Sequence, residues 1–577
     1  MKLIIKDYLA SLKERNELDA LLPTLLSQMG LTILSAPSIG NRQYGVDISA
    51  FGSINGEPEK VYLFTIKAGN LGRQDWDNGS FQDVRPSLNE ILDTYITTHI
   101  PEELTNFPIE ICVTFGGDLK QEIELTLSQF EKQKTTEKIK FSRWSGDRIA
   151  GYLETYLFNE QLFLTDELKS LLRKSLAMVD QPEVSFKNFS ILIQKLFENL
   201  EKQSIKNQLT TIRQCYLALG ILNSWCQSEN NIESAYLSAE RLILHSWDIT
   251  KLSVEKKSAD AKKIKEIFRS LTLLYLSISE SYYKKLVPHL DSLHAISNAI
   301  RGNCDVDVNI KLFDVIGRIS LFGIWLNWCF TRMYNHSPTE EILNNSRETY
   351  NEVCKSIKKL IMSNPLLFHP FKDDQAIDIG LTIYQLLQND QNDADLLGWL
   401  SGITQTIHTA FIRNWKYPST IDDYLELVLH PIDDSESYRQ SVTKGSILYP
   451  LLAFFSYALK NEEMHLTIKE LTENFIPKCT SQIWHPDADS ENHFYKNSDI
   501  HGLCLTGISY ENFDTAFNQI KDNCKLDKDI IDLSAVKYDH FPILLTACRH
   551  YRLPIPYHFF FQTLGMDIFN DMGQEGA

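Results

Sequence analysis

Two rhythms of apolar residues run along this chain, and the change from one to the other divides it. In the first quarter, helical and strand spacings alternate. Leu18, Leu21, Leu22, Leu25 and Leu26 share one face of a helix over 17–29, and Gly30 supplies its stop. A short strand is expected at 31–35. Two more, rich in Val, Ile, Tyr and Phe, are expected at 44–51 and 60–67, joined as a hairpin across Asn55-Gly56. Pro86 then opens a helix through Leu88, Ile91, Leu92 and Tyr95. A strand at 108–115, a helix at 119–133, a strand at 138–144 and a helix at 147–157 follow. The order α-β-β-β-α-β-α-β-α predicts a mixed sheet with helices on both faces.

Beyond about residue 164 the strand rhythm stops. The stretches 189–200, 211–226, 264–283, 316–334 and 376–387 all place Leu, Ile, Tyr or Trp on one helical face. The expectation is an α+β domain over 1–165, a linker over 166–185, and a large all-α, helical-repeat-like region over 186–577 that contains up to two subdomains. One internal echo fits repetition: Gly220-Ile-Leu-Asn-Ser-Trp225-Cys226 resembles Gly323-Ile-Trp-Leu-Asn-Trp328-Cys329.

Composition narrows the class. Hydrophobic residues make up 43% and charged residues 23%, values of a chain that folds throughout. The N-terminus lacks the charge-then-apolar pattern of a signal peptide, and the apolar run at 448–459 is too short to span a bilayer, so a soluble, cytoplasmic protein without a membrane partner is expected. Ten cysteines form no CxxC pair, and Cys226, Cys329 and Cys354 sit in apolar helical patterns as buried reduced thiols do. A formal charge of −18 opposes binding of nucleic acid by the whole surface, so such a partner needs a local basic patch. Lys132, Lys134, Lys138, Lys140, Arg143 and Arg148 are one candidate; a solvated helix and strand edge is the plainer account.

Candidate chemistry gathers on the hairpin. Asp47 lies in Tyr44-Gly45-Val46-Asp47-Ile48, and Lys67 ends Phe64-Thr65-Ile66-Lys67. With the loop centred on Gly56, Asp47 falls opposite Thr65, and Thr65 and Lys67 share a face because side chains alternate along a strand. Phosphodiester hydrolysis needs oxygen ligands around a hard cation, with a fixed positive charge nearby to offset charge on the phosphate. Taken alone, an Asp and a Lys on adjacent strands are commonplace. The segment Gly72-Arg73-Gln74-Asp75-Trp76-Asp77, with Arg85 beyond it, offers Arg73 and Arg85 to phosphates; Trp76 either stacks on a base or covers a core edge. The cluster His485, Asp487, Asp489, His493, Asp499 and His501 follows no metal-ligand spacing and reads as a polar loop. No phosphate-binding Gly-Lys-Ser/Thr loop is present, which argues against an ATPase.

A helix, a Gly45-Val46-Asp47-Ile48 strand, an apolar strand ending Thr65-Ile66-Lys67, then a helix and a further strand resemble the core of the PD-(D/E)XK restriction-endonuclease-like nucleases. The resemblance covers only the first quarter of the chain. It implies an endonuclease dependent on Mg²⁺ or Mn²⁺, acting on DNA in preference to RNA, with Asp47 as metal ligand and Asp47, Thr65 and Lys67 at the catalytic centre. It further implies a prokaryotic defence or restriction role, regulation by the helical region, and a protein partner such as a separate ATPase subunit; self-association is compatible with it. The chain departs from the pattern at Thr65, where relatives carry Glu, Asp or Gln. The missing acid then has to come from Glu17 or Asp19 on the preceding helix, or from Asp75 or Asp77. Failing that, the fold serves as a catalytically inactive binding or scaffold module.

Overall fold

A computed structural model describes residues 2–35, 44–157, 165–300, 302–334, 340–391, 393–499 and 502–566. The protein is α+β and divides into two compact units, Met1–Ser238 and Ala239–Ala577.

The first unit is built on one mixed sheet. Helix α1 (Lys2–Ser11) and helix α2 (Asp19–Gln28) lead into β1 (Thr32–Ser35), β2 (Ile48–Gly52) and β3 (Lys60–Lys67). Helix α3 (Val84–Glu90) precedes β4 (Ile109–Phe115); α4 (Gln121–Lys134), β5 (Ile139–Trp144) and α5 (Gly146–Tyr152) complete the layer. The five strands lie side by side in sequence order, antiparallel from β1 to β3 and parallel from β3 to β5. Alternation along β3 and β4 sorts their side chains. Val61, Leu63, Ile109, Ile111, Val113 and Phe115 enter a core with Leu88 of α3 and Ile123 and Leu127 of α4. On the other face Phe64 meets Trp144 edge-on at 5.0 Å, and Trp144 in turn meets Tyr152 of α5. Helices therefore cover both faces, as such an apolar sheet requires.

The expected linker is not one. Residues 166–185 contain helix α6 (Asp166–Ala177), capped by Thr165, whose hydroxyl accepts from the Leu168 amide, and the start of α7 (Pro182–Phe197). Leu168, Leu171, Leu172 and Leu176 are buried at helical spacing. With α8 (Ile205–Ser228) these helices belong to the first unit, which thus runs past residue 165 to Ser238. Arg213 of α8 donates to Gln28 of α2 at 3.1 Å.

The second unit is mainly helical: α9 (Ala259–Leu286), α10 (Asp305–Tyr334), α11 (Glu340–Ser363), α12 (Ala376–Asn389), α13 (Ala394–Arg413), α14 (Leu448–Ala458) and α15 (Phe541–Tyr551) are its main helices. Helix α10 packs on α9, α11, α12 and α15. It is long and apolar enough to cross a membrane by length and composition, but 72% of its most apolar window is buried inside the protein. Two short ribbons interrupt the helices, contrary to the all-α expectation: Gly445–Ser446 with Thr480–Ser481, and Ile483–His485 with Leu503–Leu505. Strands of two or three residues carry too little alternation to read. Charge is also buried here. Arg549 reaches Glu240 at 2.7 Å and Asp314 at 2.7 Å, and Arg552 reaches Asp378 at 2.8 Å. The Cys548-Arg549-His550 stretch is therefore an ion-pair hub inside the helical core, with both cationic and anionic partners present as buried charge requires.

Candidate active site

The hairpin register places the central pair. Ile48 faces Phe64 and Gly52 faces Lys60, and the regular ladder stops at Ile48, so the expected pairing of Asp47 with Thr65 is not part of it. Asp47 stands one residue ahead of β2, and its amide donates to the Phe64 carbonyl at 2.8 Å. Its carboxylate Oδ2 accepts from the Ile66 amide at 2.7 Å, which fixes the side chain against the β3 backbone between Thr65 and Lys67.

Lys67 turns toward a residue that the sequence did not single out. Its Nζ lies 3.2 Å from Oε2 of Glu14, with only 12% of the Lys67 side chain exposed and 33% of that of Glu14. Glu14 opens a π-helical turn, Glu14–Leu18, between α1 and α2. The Leu18 amide donates to Lys13 O and the Asp19 amide to Glu14 O, five residues back in each case. Two further turns of this kind, Ile91–Tyr95 and Leu153–Leu157, occur in the first unit, so it is the Lys67 contact and not the turn that singles out Glu14. The extra residue per turn changes which side chains face the sheet, and the Glu14-Arg15-Asn16-Glu17 stretch gives no periodic sign of it.

Glu17 and Asp19, the expected donors, lie in the same corner with different roles. Glu17 Oε2 accepts from the Lys13 amide at 2.7 Å, closing the start of the turn. The Tyr216 phenol on α8 is pushed up to about 12, first by burial and then by the charges of Glu17 and Asp19. Tyr8 on α1 is raised as well, by burial, Tyr216 and Glu17. Helices α1 and α8 thus enclose the acidic corner with two phenols. Asp47 itself is raised to about 6. Burial is the main cause; the Ile66 amide and Lys67 oppose it, and the charges of Glu14 and Asp19 add to it. Negative charge here is only partly compensated by the protein.

Thr65 is 1% exposed, enclosed between β2 and Val113 of β4, and supplies no charge. Asp75 and Asp77 serve their own loop and not the corner. Asp75 accepts from the Gly72 amide at 2.8 Å, and Asp77 pairs with Arg85 at 2.7 Å. Trp76 is 6% exposed and meets Phe130 edge-on at 5.7 Å, so it covers the core and is not presented to a base. Arg73 and Arg85 are exposed, beyond the end of β3 that carries Lys67. The basic run does not join them. The amide of Ile109, at the start of β4, donates to Lys138 O, and β4 runs parallel to β3, so Lys138 and Lys140 lie at the other end of the sheet from Lys67. Arg143 is taken up by Glu131 at 2.6 Å and Arg148 by the rings of Trp144 and Tyr152.

The histidine cluster in the second unit is dispersed. His485 is buried 3.4 Å from Asp527, while Asp487 accepts from the amides of Asp489 and Ser490 in a local turn. His501 lies outside the described residues. Among the described residues no three His, Cys, Asp or Glu side chains stand together as a ready-made metal site.

The corner therefore gathers the carboxylates of Asp47, Glu14, Glu17 and Asp19 around one nearly buried ammonium, with Glu14 paired to that ammonium and Asp47 held on the Ile66 amide. Oxygen donors of this kind suit a hard cation, and Mg²⁺ is commonly held by one or two carboxylates with water and substrate phosphate completing the shell. Glu14→Gln keeps a hydrogen-bond acceptor for Lys67 and removes one negative charge. It is expected to bring the titration of Asp47 down from about 6 toward the ordinary carboxylate range, because the charge of Glu14 is one of the groups that raise it, measured by NMR titration of the Asp47 carboxyl. Comparison with protein-family profiles, with curated proteins and with solved structures finds no match to this chain.

Proposed function

We propose that the first unit is a divergent PD-(D/E)XK-type nuclease that hydrolyses phosphodiester bonds, DNA in preference to RNA, with Asp47, Lys67 and Glu14 as its working groups. The observation that supports this most is the meeting of Asp47, on the Ile66 amide, with the Lys67–Glu14 pair at one end of the β2–β3 hairpin. Mg²⁺ or Mn²⁺ bound at Asp47 and Glu14 would supply polarisation of the phosphate and an activated water. The protein's own contribution is placement. The Ile66 amide holds one oxygen of Asp47 and so orients the other. Lys67, nearly buried, faces little competition from water and offsets charge that gathers on the phosphate. Glu14 takes the part that the family assigns to the residue at Thr65.

Exposed Arg73 and Arg85 lie toward the Lys67 end of the sheet, where a backbone entering the site would pass. The pair Arg85–Asp77 is open to solvent, with side-chain exposures of 51% and 40%. Arg85→Ala is therefore expected to change stability by less than about 1 kcal/mol. It is also expected to weaken nucleic-acid binding and lower the salt slope by about one. Fluorescence anisotropy over a salt series measures both quantities. In this reading the helical second unit regulates the nuclease or docks a partner such as an ATPase subunit, and the whole serves as a prokaryotic defence or restriction effector.

A second reading, a nuclease-like sheet that binds without cutting, is favoured by the buried neutral Thr65 and by the net charge of −18. One experiment separates the two. The full chain is incubated with supercoiled plasmid and with an RNA oligonucleotide in Mg²⁺ or Mn²⁺, with and without chelator. Cleavage that the chelator removes supports the nuclease; binding to either nucleic acid without cleavage in either metal supports the binding module.

A further inference from the structure

The second unit contains a cavity of about 380 Å³ bounded by the C-terminal half of α10, the end of α12 and the start of α15, within the roughly 300–1,000 Å³ range of small-ligand sites. Its lining is unusual in kind. Five carboxamides, those of Asn327, Gln388, Asn389, Gln391 and Gln562, share it with the flat groups of Trp328, Arg332 and Phe541. Its one carboxylate, Asp539, pairs with Arg332 at 3.2 Å, which leaves the lining formally neutral.

The walls are held in place before any ligand arrives. The indole of Trp328 donates to the Asp539 carbonyl at 2.7 Å, and the Arg332 guanidinium lies over the same ring, 4.6 Å from its centre. Asn327 Nδ2 donates to Gln388 Oε1 at 2.8 Å, so that pair uses one donor and one acceptor on each other. Gln388 also donates to the Tyr384 hydroxyl, so what remains, the side-chain carbonyl of Asn327 and one amide N–H of Gln388, is an acceptor beside a donor. Gln391 is fixed in the same way by its bond to Thr563 O at 2.8 Å, which leaves its carbonyl oxygen as a further acceptor.

A ligand matched to this lining is neutral, planar and edged with alternating donors and acceptors. A polyphosphate would find no unpaired cation. A saccharide could use the amides and set its C–H face on an aromatic wall, but it lacks the planar edge on which a donor and an acceptor stand side by side in the ring plane, and maltose is therefore the competing arm of the test. Carboxamides pair with adenine through its N6 and N7 edge because both sides present a donor next to an acceptor, and aromatic or guanidinium planes stack on either ring of a base. We propose that this cavity binds a purine nucleoside or its free base, stacked on the Trp328–Arg332–Phe541 walls and read along one edge by Asn327 and Gln388. This site lies wholly within the second unit and is independent of whether the first unit is a nuclease.

The test is calorimetric titration and thermal shift of the full chain with adenosine, guanosine, cytidine and uridine, and with maltose as the saccharide arm. One purine nucleoside is expected to bind with a stoichiometry of one and to raise the unfolding temperature. Gln388→Leu is expected to weaken it about tenfold, the loss of about one well-formed hydrogen bond. Gln562→Leu changes an exposed rim residue whose substitution leaves folding intact, and is expected to weaken binding in the same direction. Absence of binding by either purine nucleoside at millimolar concentration, binding of maltose instead, or nucleoside binding untouched by both substitutions overturns the proposal.

Discussion

Asp47→Asn is expected to do two opposite things: lower metal-dependent cleavage by about 10³-fold, and make the protein more stable at neutral pH. The first follows from the proposed function, in which Asp47 would hold the metal and Glu14 could not replace it. The second follows from burial. Asp47 holds its proton up to about pH 6 in the folded protein, against an ordinary value of 3.8. Between those values the folded chain keeps a proton that the unfolded chain has shed, so this group's contribution to stability falls as pH rises from about 4 to about 6 and stays low above that. At 1.36 kcal/mol per pH unit the cost at neutral pH is up to about 3 kcal/mol. Asparagine carries no charge and can still accept from the Ile66 amide, so it escapes most of that cost. Thermal unfolding of both proteins at pH 4 and pH 8 checks this: the asparagine variant should lead clearly at pH 8 and scarcely at pH 4. Cleavage by the parent should rise with pH through about 6, as Asp47 loses its proton. A variant less stable than the parent at pH 8 would show that the charge of Asp47 is already well compensated.

The second large effect is expected at Gly45, two residues before Asp47. Its φ is +80°, and a Cβ there would stand 2.2 Å from the Ser87 carbonyl oxygen on α3. Left-handed backbone costs a non-glycine residue about 1–2 kcal/mol, and overpacking against backbone that cannot rotate away adds about 1–3 kcal/mol. Gly45→Ala is therefore expected to destabilise the first unit by about 3 kcal/mol or more, roughly 6–12 °C in the midpoint of its unfolding, and to abolish cleavage by shifting Asp47. Gly56 is the internal comparison. It has φ +76° with nothing within 4 Å of a built Cβ, so Gly56→Ala should cost only the backbone term, about 1–2 kcal/mol. Equal midpoints for the two alanine variants would contradict the steric account.

The hairpin was legible in the sequence because its signals agree. Asn55-Gly56 sets the turn and the flanking runs are β-branched and aromatic, which brings Asp47 to the Lys67 end of β3, although its amide bonds Phe64 and the expected pairing with Thr65 is not in the ladder. The mixed sheet with helices on both faces follows from the order of the elements. Glu14 was hidden because its position depends on hydrogen bonds five residues apart, for which no residue pattern exists. Trp76 and the basic run were ambiguous for a different reason: the same residues suit a core edge or a nucleic-acid surface, and only the direction of β4 and β5 separates Lys138 from Lys67. The helix Asp166–Ala177 was readable from Thr165 and the spacing of its leucines. Taking 166–185 as a linker placed the boundary of the first unit too early.

The claim on which the rest depends is that Lys67, held on Glu14 and beside Asp47, works on a phosphate. Cleavage of a labelled DNA duplex by the full chain and by Lys67→Ala, in the same Mg²⁺ buffer and with matched circular dichroism, tests it most directly. The account predicts cutting by the parent and a rate lower by about 10²–10³-fold in the variant. Equal rates in the two proteins would contradict it.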